Sequence, residues 1–167
     1  MHLPDFLINK YNKWKQNEFP KNSNLLSELE KKGQNPKAMI ISCCDSRVNP
    51  NIIFKGVEGD YFISRNIANL VPSSDAGPLH FATSSAIDYA ISSLKISNLI
   101  ILGHSNCGGI KHAYEFFSKN KQKDNSAINN WIETIRPAYE MLDKNHDKKN
   151  ILQNLEKLSI QNSISNL

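Results

Sequence analysis

The sequence predicts an α/β fold with a mostly parallel central sheet flanked by helices. Two short apolar runs, 37–43 and 97–103, and a further candidate segment, 60–66, have the length of strands. Segments in which apolar residues recur at helical spacing separate or follow these runs. Strands that alternate with helices favour parallel pairing through crossover connections. We therefore expect functional side chains beyond the carboxyl ends of the strands, where such sheets bind ligands.

The first predicted elements are a helix over 22–33 and the strand over 37–43. Ser23 is a suitable cap for the helix, and Gly33 is suited to end it. The strand segment is an unbroken apolar run, which is typical of a strand buried on both faces. The second strand, 60–66, follows after a polar stretch.

A helix is predicted over 77–95, between the second and third strands. Pro78 suits its first turn. Its apolar residues at helical spacing are Leu79, Ala82, Ala86, Ile87, Ala90, Ile91 and Leu94.

The remainder of the chain is predicted to be helical. The third strand, 97–103, is again continuously apolar, and a helix begins directly after it at Gly108. Two further helices are predicted around 127–144 and 148–165, and Pro137 should kink or interrupt the first of them. All seven glycines lie at or before Gly109, and the last 58 residues are predicted to be a helical scaffold.

Composition excludes several classes of protein. The 167 residues are 40% hydrophobic, which is ordinary for a globular domain, and no apolar run approaches the ~20 residues that span a bilayer. The net charge of +4 comes from lysines, with only three arginines. A nucleic-acid surface usually mixes arginine and aromatic residues into a basic stripe. We therefore expect neither a membrane nor a nucleic-acid partner. The start, MHLPDFLINKYNKWKQ, lacks the charged-then-apolar order of a secretory signal, so a cytoplasmic location is expected.

The chain is expected to form one domain over 1–167. An N-terminal helical arm would cover about 1–35, a core that carries the functional motifs about 36–112, and C-terminal helices about 113–167. The sequence contains no internal repeat and no linker that would divide it. Its three cysteines cannot make a complete disulfide framework, so they indicate metal binding or catalysis.

Two motifs gather the residues that carry chemistry. The stretch SCCDSRV, 42–48, follows the first strand, and GHSNCGG, 103–109, follows the third. His104 and Cys107 have a spacing that lets both side chains reach one ion, and zinc prefers thiolate and imidazole ligands. One thiolate from the first motif would complete three protein ligands and leave a fourth position open to water, the pattern of a catalytic zinc site.

Each motif alone has a simpler interpretation. A lone pair of His and Cys is often merely buried, and Asp45 with Arg47 could be an ordinary salt bridge that holds its loop. A redox role for Cys43 and Cys44 is disfavoured, because no CxxC motif is present. The two motifs together make the metal interpretation the stronger one.

The two motifs resemble those of the β-class carbonic anhydrases. The match rests on CCDSR at 43–47 and HxxCGG at 104–109, and extends through KGQNPKAMIISCCDSRV, FISRNIANLVP at 62–72 and AIDYAISSLKISNLIILGHSNCGGIK at 86–111. The resemblance covers about 22–112. It implies reversible hydration of carbon dioxide to bicarbonate and a proton, with one zinc ion per chain, in a homodimer or higher homo-oligomer.

The resemblance implies roles for the motif residues. Cys43, His104 and Cys107 would bind zinc, and Cys44 would be a non-ligand at a position where the family has a small residue. Asp45 and Arg47 resemble the family's dyad, in which the Asp either pairs with the Arg or itself binds the metal.

Family similarity also indicates a substrate pocket. Phe62, Ile67 and Tyr89 would line it, Gln34 would donate a hydrogen bond, and the Gly108 backbone N–H would favour an anion. In the family some of these residues come across a dimer interface. Ordinary core packing is the alternative for the three apolar side chains.

The remaining residues of interest are interpreted as follows from their place in or outside the family motifs. Ile40 replaces the Trp of the type that bicarbonate regulates, so an unregulated type is expected. Arg65 and Asn66 are expected to stabilise the fold or a dimer. His80, His112 and His146 are expected to be structural or at the surface.

The resemblance ends at the C-terminal helices. The family continues into another strand, and we expect that last strand to be missing here, as in a truncated form. Two other functions follow from the same residues: hydrolysis of carbonyl sulfide or carbon disulfide, and an inactive zinc-binding remnant. Asp45 and Arg47 argue against the remnant, since a purely structural site has no need of them.

Overall fold

A computed structural model describes residues 2–77, 80–119, 126–143 and 150–167. The expectations for Pro78, Leu79 and His146 therefore lie outside the described residues. The chain divides into two compact units, Met1–Asn35 and Pro36–Leu167. Among the described residues, no helix is both long enough and apolar enough to cross a membrane.

The first unit consists of two helices, α1 (Asp5–Asn17) and α2 (Phe19–Lys32). Both lie in the N-terminal stretch of about 1–35 that was predicted to be helical, but only the second was predicted with its own bounds, and it starts earlier than expected. Ser23 does not cap it; its hydroxyl lies inside the helix and donates to the Pro20 carbonyl at 3.0 Å. Gly33 ends the helix as predicted, because its φ of 79° suits glycine.

The second unit contains the sheet and the remaining helices. Its elements are β1 (Ala38–Cys43), α3 (Pro50–Ile53), β2 (Tyr61–Asn66), α4 (Phe81–Asp88), β3 (Leu99–Leu102), α5 (Gly108–Ser118), α6 (Ala127–Ile132), α7 (Arg136–Glu140) and α8 (Ile151–Ser165).

The three strands form a parallel sheet in the order β2-β1-β3. All six residues of β1 are buried, which confirms the interpretation of its unbroken apolar run. Parallel pairing places the carboxyl ends of β1 and β3 side by side, since Ser42 pairs with Leu102. The loops that follow these two strands carry the two motifs, and the sheet thus brings the motifs together.

Two predicted helices are each divided into shorter elements. The helix predicted over 77–95 is α4 followed by a wider turn over Tyr89–Ser93, which the Leu94 N–H closes by donating to the Tyr89 carbonyl at 3.1 Å. The helix predicted over 127–144 breaks into α6, a tight turn and α7. Pro137 lies at the start of α7, where a proline needs no N–H partner.

Two apolar clusters pack on the sheet. The larger joins α5 to α6, α7 and α8 and includes both Cys43 and Cys107. The smaller packs Met39 and Ile41 of β1 against Val71 and Ala90. The two cysteines therefore lie at the border of the main core, where burial holds their side chains in place.

Candidate metal centre

Cys43, His104 and Cys107 bring one potential ligand atom each to a common point. These three atoms all lie within 4.8 Å of one another, and both cysteines are buried. The Cys43 and Cys107 sulfurs are 3.9 Å apart, far beyond a disulfide bond. Cys44 is exposed and does not belong to this group of ligand atoms.

The loop after β1 presents Cys43 and Asp45. The Cys44 N–H continues the sheet pattern by donating to the Asn66 carbonyl at 2.9 Å, and the chain then turns, with the Val48 N–H donating to the Asp45 carbonyl at 2.9 Å. Strand pairing thus ends just after Cys43, which fixes the position of its side chain at the edge of the sheet.

The loop after β3 presents His104 and Cys107, and its glycines allow close approach to neighbouring segments. A Cβ at Gly109 would lie 2.7 Å from Ile67 Cγ2 and 3.0 Å from Ala68 Cβ. A Cβ at Gly103 would lie 2.5 Å from Ile160 Cδ1. Real Cβ atoms do not come this close to other atoms, so a side chain at either position would force its neighbours to shift.

The imidazole of His104 is oriented for metal binding. Its Nδ1 lies 3.0 Å from the Ser105 carbonyl, and because a carbonyl only accepts, the proton is assigned to Nδ1. Its Nε2 then carries a lone pair, is buried and has no hydrogen-bond partner. Metal-binding histidines commonly donate the other ring N–H to such a carbonyl.

The Cys107 sulfur lies at the start of α5. Burial raises the pKa of Cys107 to about 11, while hydrogen bonds from the Ile110 and Gly109 N–H groups act in the opposite direction. The nearby Cys43 sulfur raises the pKa further. The thiolate form therefore needs a cation beside it, since a bound metal ion favours deprotonated sulfur.

Asp45 and Arg47 form a two-point ion pair beside the three ligand atoms. Arg47 Nε donates to Asp45 Oδ1 at 2.9 Å, and Arg47 Nη2 donates to Oδ2 at 2.7 Å. These bonds hold the pKa of the Asp45 carboxyl well below its usual range. Asp45 Oδ2 lies 3.9 Å from His104 Nε2. Of the two states that the family resemblance allows, this arrangement is the one in which Asp45 pairs with Arg47.

The donor set fits zinc. Tetrahedral zinc with sulfur at ~2.3 Å requires a sulfur–sulfur distance of about 3.8 Å, and the observed distance is 3.9 Å. The buried, unpartnered His104 Nε2 would gain the partner it lacks. Two sulfurs and one imidazole leave one position of a tetrahedron for a further ligand.

Three residues that the sequence did not assign to the site support its loops. Arg65 donates to the carbonyls of the loop after β1. The Glu156 carboxylate on α8 accepts from the Cys107 N–H at 3.0 Å. Trp131 Nε1 donates to the Ile67 carbonyl at 2.9 Å, which supports the segment that Gly109 packs against. Of these three residues, only Arg65 could be noticed from the sequence. It is one of the three arginines of the chain and lies in the family-like stretch FISRNIANLVP.

The predicted pocket residues are not all brought together. Ile67 and Gly108 lie by the loop after β3. Phe62 pairs with Met39 near the start of β1, four residues before Cys43, which is about 13 Å along a strand. Its ring packs on Tyr89, with the centroids 5.9 Å apart. Within one chain these two rings therefore do not line the site. Gln34 belongs to the first unit, so its role and theirs stay predictions.

The other histidines make contacts away from the ligand atoms. His112 Nε2 lies 2.9 Å from Asn129 Oδ1, and the His80 ring packs on Trp131 with the centroids 5.2 Å apart. These contacts agree with the structural role expected for both.

Comparisons with known proteins give one family. A family model described as carbonic anhydrase matches residues 38–167. β carbonic anhydrase 3 of Arabidopsis thaliana is 35% identical over 153 residues, which are 92% of this chain and 55% of that protein. Mitochondrial β carbonic anhydrase 6 of the same plant is 34% identical, over 88% of this chain and 52% of its own. The chain spans about half the length of these curated relatives.

Solved structures agree with this result. The β-carbonic anhydrase CcaA has a TM-score of 0.87 at 27% identity, over 98% of this chain and 78% of its own. A tetrameric β-carbonic anhydrase from Sordaria macrospora has a TM-score of 0.77 at 27% identity, over 96% of this chain and 78% of its own.

Proposed function

The chain belongs to the β class of the carbonic anhydrases, and from this we propose that it catalyses the reversible hydration of carbon dioxide to bicarbonate and a proton. One observation carries the proposal: two cysteine sulfurs and an unpartnered imidazole nitrogen converge beside a carboxylate that an arginine keeps ionised. A site that binds zinc only for structure would need neither the Asp45 carboxylate nor the Arg47 guanidinium.

Cys43, His104 and Cys107 would hold one zinc ion. Zinc supplies Lewis acidity and makes water a nucleophile near neutral pH, an effect for which carbonic anhydrases are the standard example. Three protein ligands with an open fourth position are characteristic of catalytic zinc sites, whereas structural sites are closed by four.

Asp45 and Arg47 would orient the reacting water. The Asp45 carboxylate is ionised because Arg47 donates to both of its oxygens. One of those oxygens, Oδ2, lies 3.9 Å from His104 Nε2 and therefore close to where zinc would be bound. A carboxylate there can accept a hydrogen bond from water and fix the direction of its lone pair.

Gly108 would help to bind the anionic product. It is the first residue of α5, and a Cβ built on it meets nothing within 4 Å, so space is open in front of it. Backbone N–H groups at a helix start favour anions. Gln34 is a further proposed donor to substrate.

We further propose that the enzyme is a homodimer or a higher homo-oligomer. The relative from Sordaria macrospora is tetrameric. The Phe62–Tyr89 pair offers a second reason, because Tyr89 is 49% exposed and the pair lies away from the ligands of its own chain. A second copy could bring this apolar pair to the site.

Adjacent cysteines allow a matched test of the metal centre. Cys43→Ser should lose bound zinc and carbon dioxide hydration in stopped-flow assays, because a buried ligand is removed. Cys44→Ser should keep both, because that side chain is exposed and lies outside the group of ligand atoms.

Removal of zinc with a chelator should abolish hydration while the protein stays folded. Loss of the fold instead would support a structural remnant.

A second test addresses Asp45 and the choice of substrate. Asp45→Asn should keep zinc and lower hydration by roughly 10²-fold or more, the range for a positioned proton-accepting side chain. Parallel assays with carbonyl sulfide and carbon disulfide test the related hydrolysis. A zinc-loaded chain that hydrates no carbon dioxide at alkaline pH would refute the proposed function.

A further inference from the structure

Arg65 makes an unusual set of contacts beside the metal centre. Its Nε donates to the Cys43 carbonyl at 3.1 Å. Its Nη2 donates to the Asp45 carbonyl at 2.8 Å and to the Val48 carbonyl at 2.7 Å. One guanidinium from β2 therefore binds three carbonyls spread over six residues of the loop that follows β1.

These carbonyls lie where the sheet stops pairing. Cys43 is the last residue of β1 and pairs with Asn66, the last residue of β2. Beyond this point the loop leaves the sheet, and its carbonyls no longer have strand partners, although the Asp45 carbonyl also accepts from the Val48 N–H. Arg65 supplies donors to them, since it pairs with Ser42 and its side chain reaches forward over the loop.

The contacts use the charge and shape of arginine. Among the described residues, no carboxylate lies within ion-pair distance of Arg65, so its charge-assisted bonds go to backbone carbonyls. A guanidinium presents its donors in a fixed planar fork, whereas an ammonium is a point donor on a flexible stem. Binding three carbonyls at once depends on that fork.

We propose that Arg65 is a positioning residue for the metal centre. By binding the carbonyls of Cys43 and Asp45, it fixes both the first thiolate ligand and the carboxylate beside it. This inference rests on the proposed function, because it assumes that Cys43 binds metal. The hydrogen bonds of Arg65 go to backbone carbonyls and not to the ligand atoms of Cys43, His104 and Cys107.

A loop without this support would present Cys43 less accurately. The Cys43 sulfur must stay about 3.9 Å from Cys107, whose loop is held by separate contacts. If the loop after β1 relaxes, metal binding must restore the position of the Cys43 sulfur, and that cost makes the free energy of metal binding less favourable. Metal affinity then falls even in protein that remains folded.

The test compares two arginines. Arg65→Met removes all donors, and Arg65→Lys keeps the charge without the fork. The controls are Arg136→Met and Arg136→Lys, because Arg136 pairs with Glu133 and packs over the Phe117 ring away from the metal ligands. Co²⁺ is titrated into each metal-free protein, and its thiolate charge-transfer absorption reports sulfur binding. The unfolding midpoint of each metal-free protein is measured alongside.

Arg65→Met should raise the Co²⁺ dissociation constant roughly 10- to 100-fold, the usual effect of losing a group that orients a metal ligand. Arg65→Lys should give a smaller rise, and both should alter the absorption. The Arg136 variants should leave affinity and absorption unchanged, whatever they do to the midpoint. If Arg65→Met does not fold, Arg65→Lys decides the question.

The proposal would be overturned if the Arg65 variants kept wild-type Co²⁺ affinity and absorption. It would also be overturned if the Arg65 and Arg136 variants weakened Co²⁺ binding equally. The comparison is independent of turnover. A chain that binds Co²⁺ but hydrates no carbon dioxide would refute the proposed function and leave the role of Arg65 to be judged by metal binding. Absence of any Co²⁺ binding by the wild type would overturn both.

Discussion

The loop after β1 and the loop after β3 present their ligands to the same point, yet different contacts hold them there. The first loop is held by hydrogen bonds from charged groups: Arg65 binds its carbonyls, and Arg47 binds the Asp45 carboxylate. The second loop is held mainly by close packing of Gly103 and Gly109 against neighbouring segments.

One contact joins the two loops directly. Arg47 Nη2, which binds Asp45, also donates to the Asn106 carbonyl at 3.1 Å. The first loop should therefore respond to changes in donors and charge, and the second to changes in volume. Substitutions that alter one property at a time can test this difference.

The largest effect is expected for Gly109→Ala. The added Cβ would meet Ile67 and Ala68 at 2.7 and 3.0 Å. Ile67 is partly exposed, but Ala68 is completely buried and has no room to move away. Overpacking of this kind costs about 1–3 kcal/mol. Urea unfolding should show that loss, and zinc content should fall.

Gly108→Ala is the matched control for this substitution. It adds the same methyl one residue earlier in α5, where nothing lies within 4 Å. No loss of unfolding free energy is expected. A gain of up to about 1 kcal/mol would arise because alanine leaves the unfolded chain fewer conformations than glycine does. Equal losses at both positions would show that packing does not hold this loop.

Gly103→Ala should cost less, about 1 kcal/mol. Its Cβ would lie 2.5 Å from Ile160 Cδ1, which is the end of a flexible side chain. Ile160→Val removes that methyl and should recover part of the loss in the double variant. Unfolding free energies of the two single variants and the double variant measure the coupling. Strictly additive losses would contradict a steric cause.

Trp131→Phe should cost between about 0.5 and 1 kcal/mol, because the ring remains but its donor to the Ile67 carbonyl is lost. Ile67 belongs to the segment that Gly109 contacts, so the second loop loses support indirectly. Trp14→Phe is the control, since Trp14 is the other tryptophan of the chain and packs on Tyr11 and Phe19 in the first unit. Unfolding midpoints should separate the two variants.

Much of this arrangement could be predicted from sequence. Unbroken apolar runs predicted β1 and β3, 60–66 was recognised as a further candidate strand, and the topology of a parallel sheet predicted that the two motifs would meet. The choice of Cys43 as the ligand came instead from the family resemblance. Pro137 correctly marked the interruption of its helix. These predictions succeeded because each depends on local pattern or on a general rule of sheet topology.

The supporting contacts could not be predicted in the same way. Glu156 accepts a hydrogen bond from the N–H of Cys107, which lies 49 residues earlier in the chain. A glutamate on a predicted helix gives no sign of such a distant partner. Ala68 adopts a φ of 63°, which alanine rarely does, and no pattern in the sequence indicates it. Arg65 was visible, but its acceptors are backbone carbonyls, which every residue has.

The smallest effect is expected for Glu156→Gln, and it gives the sharpest contrast with Arg65→Lys. Gln keeps a carbonyl oxygen that can accept from the Cys107 N–H and removes only the charge. If packing holds the second loop, the unfolding free energy should change by no more than about 0.5 kcal/mol. Glu156→Ala, which leaves the N–H without its acceptor, should cost about 1 kcal/mol. A loss for Gln as large as that for Gly109→Ala would mean that charge matters at the second loop as it does at the first, and the two loops would no longer differ in kind.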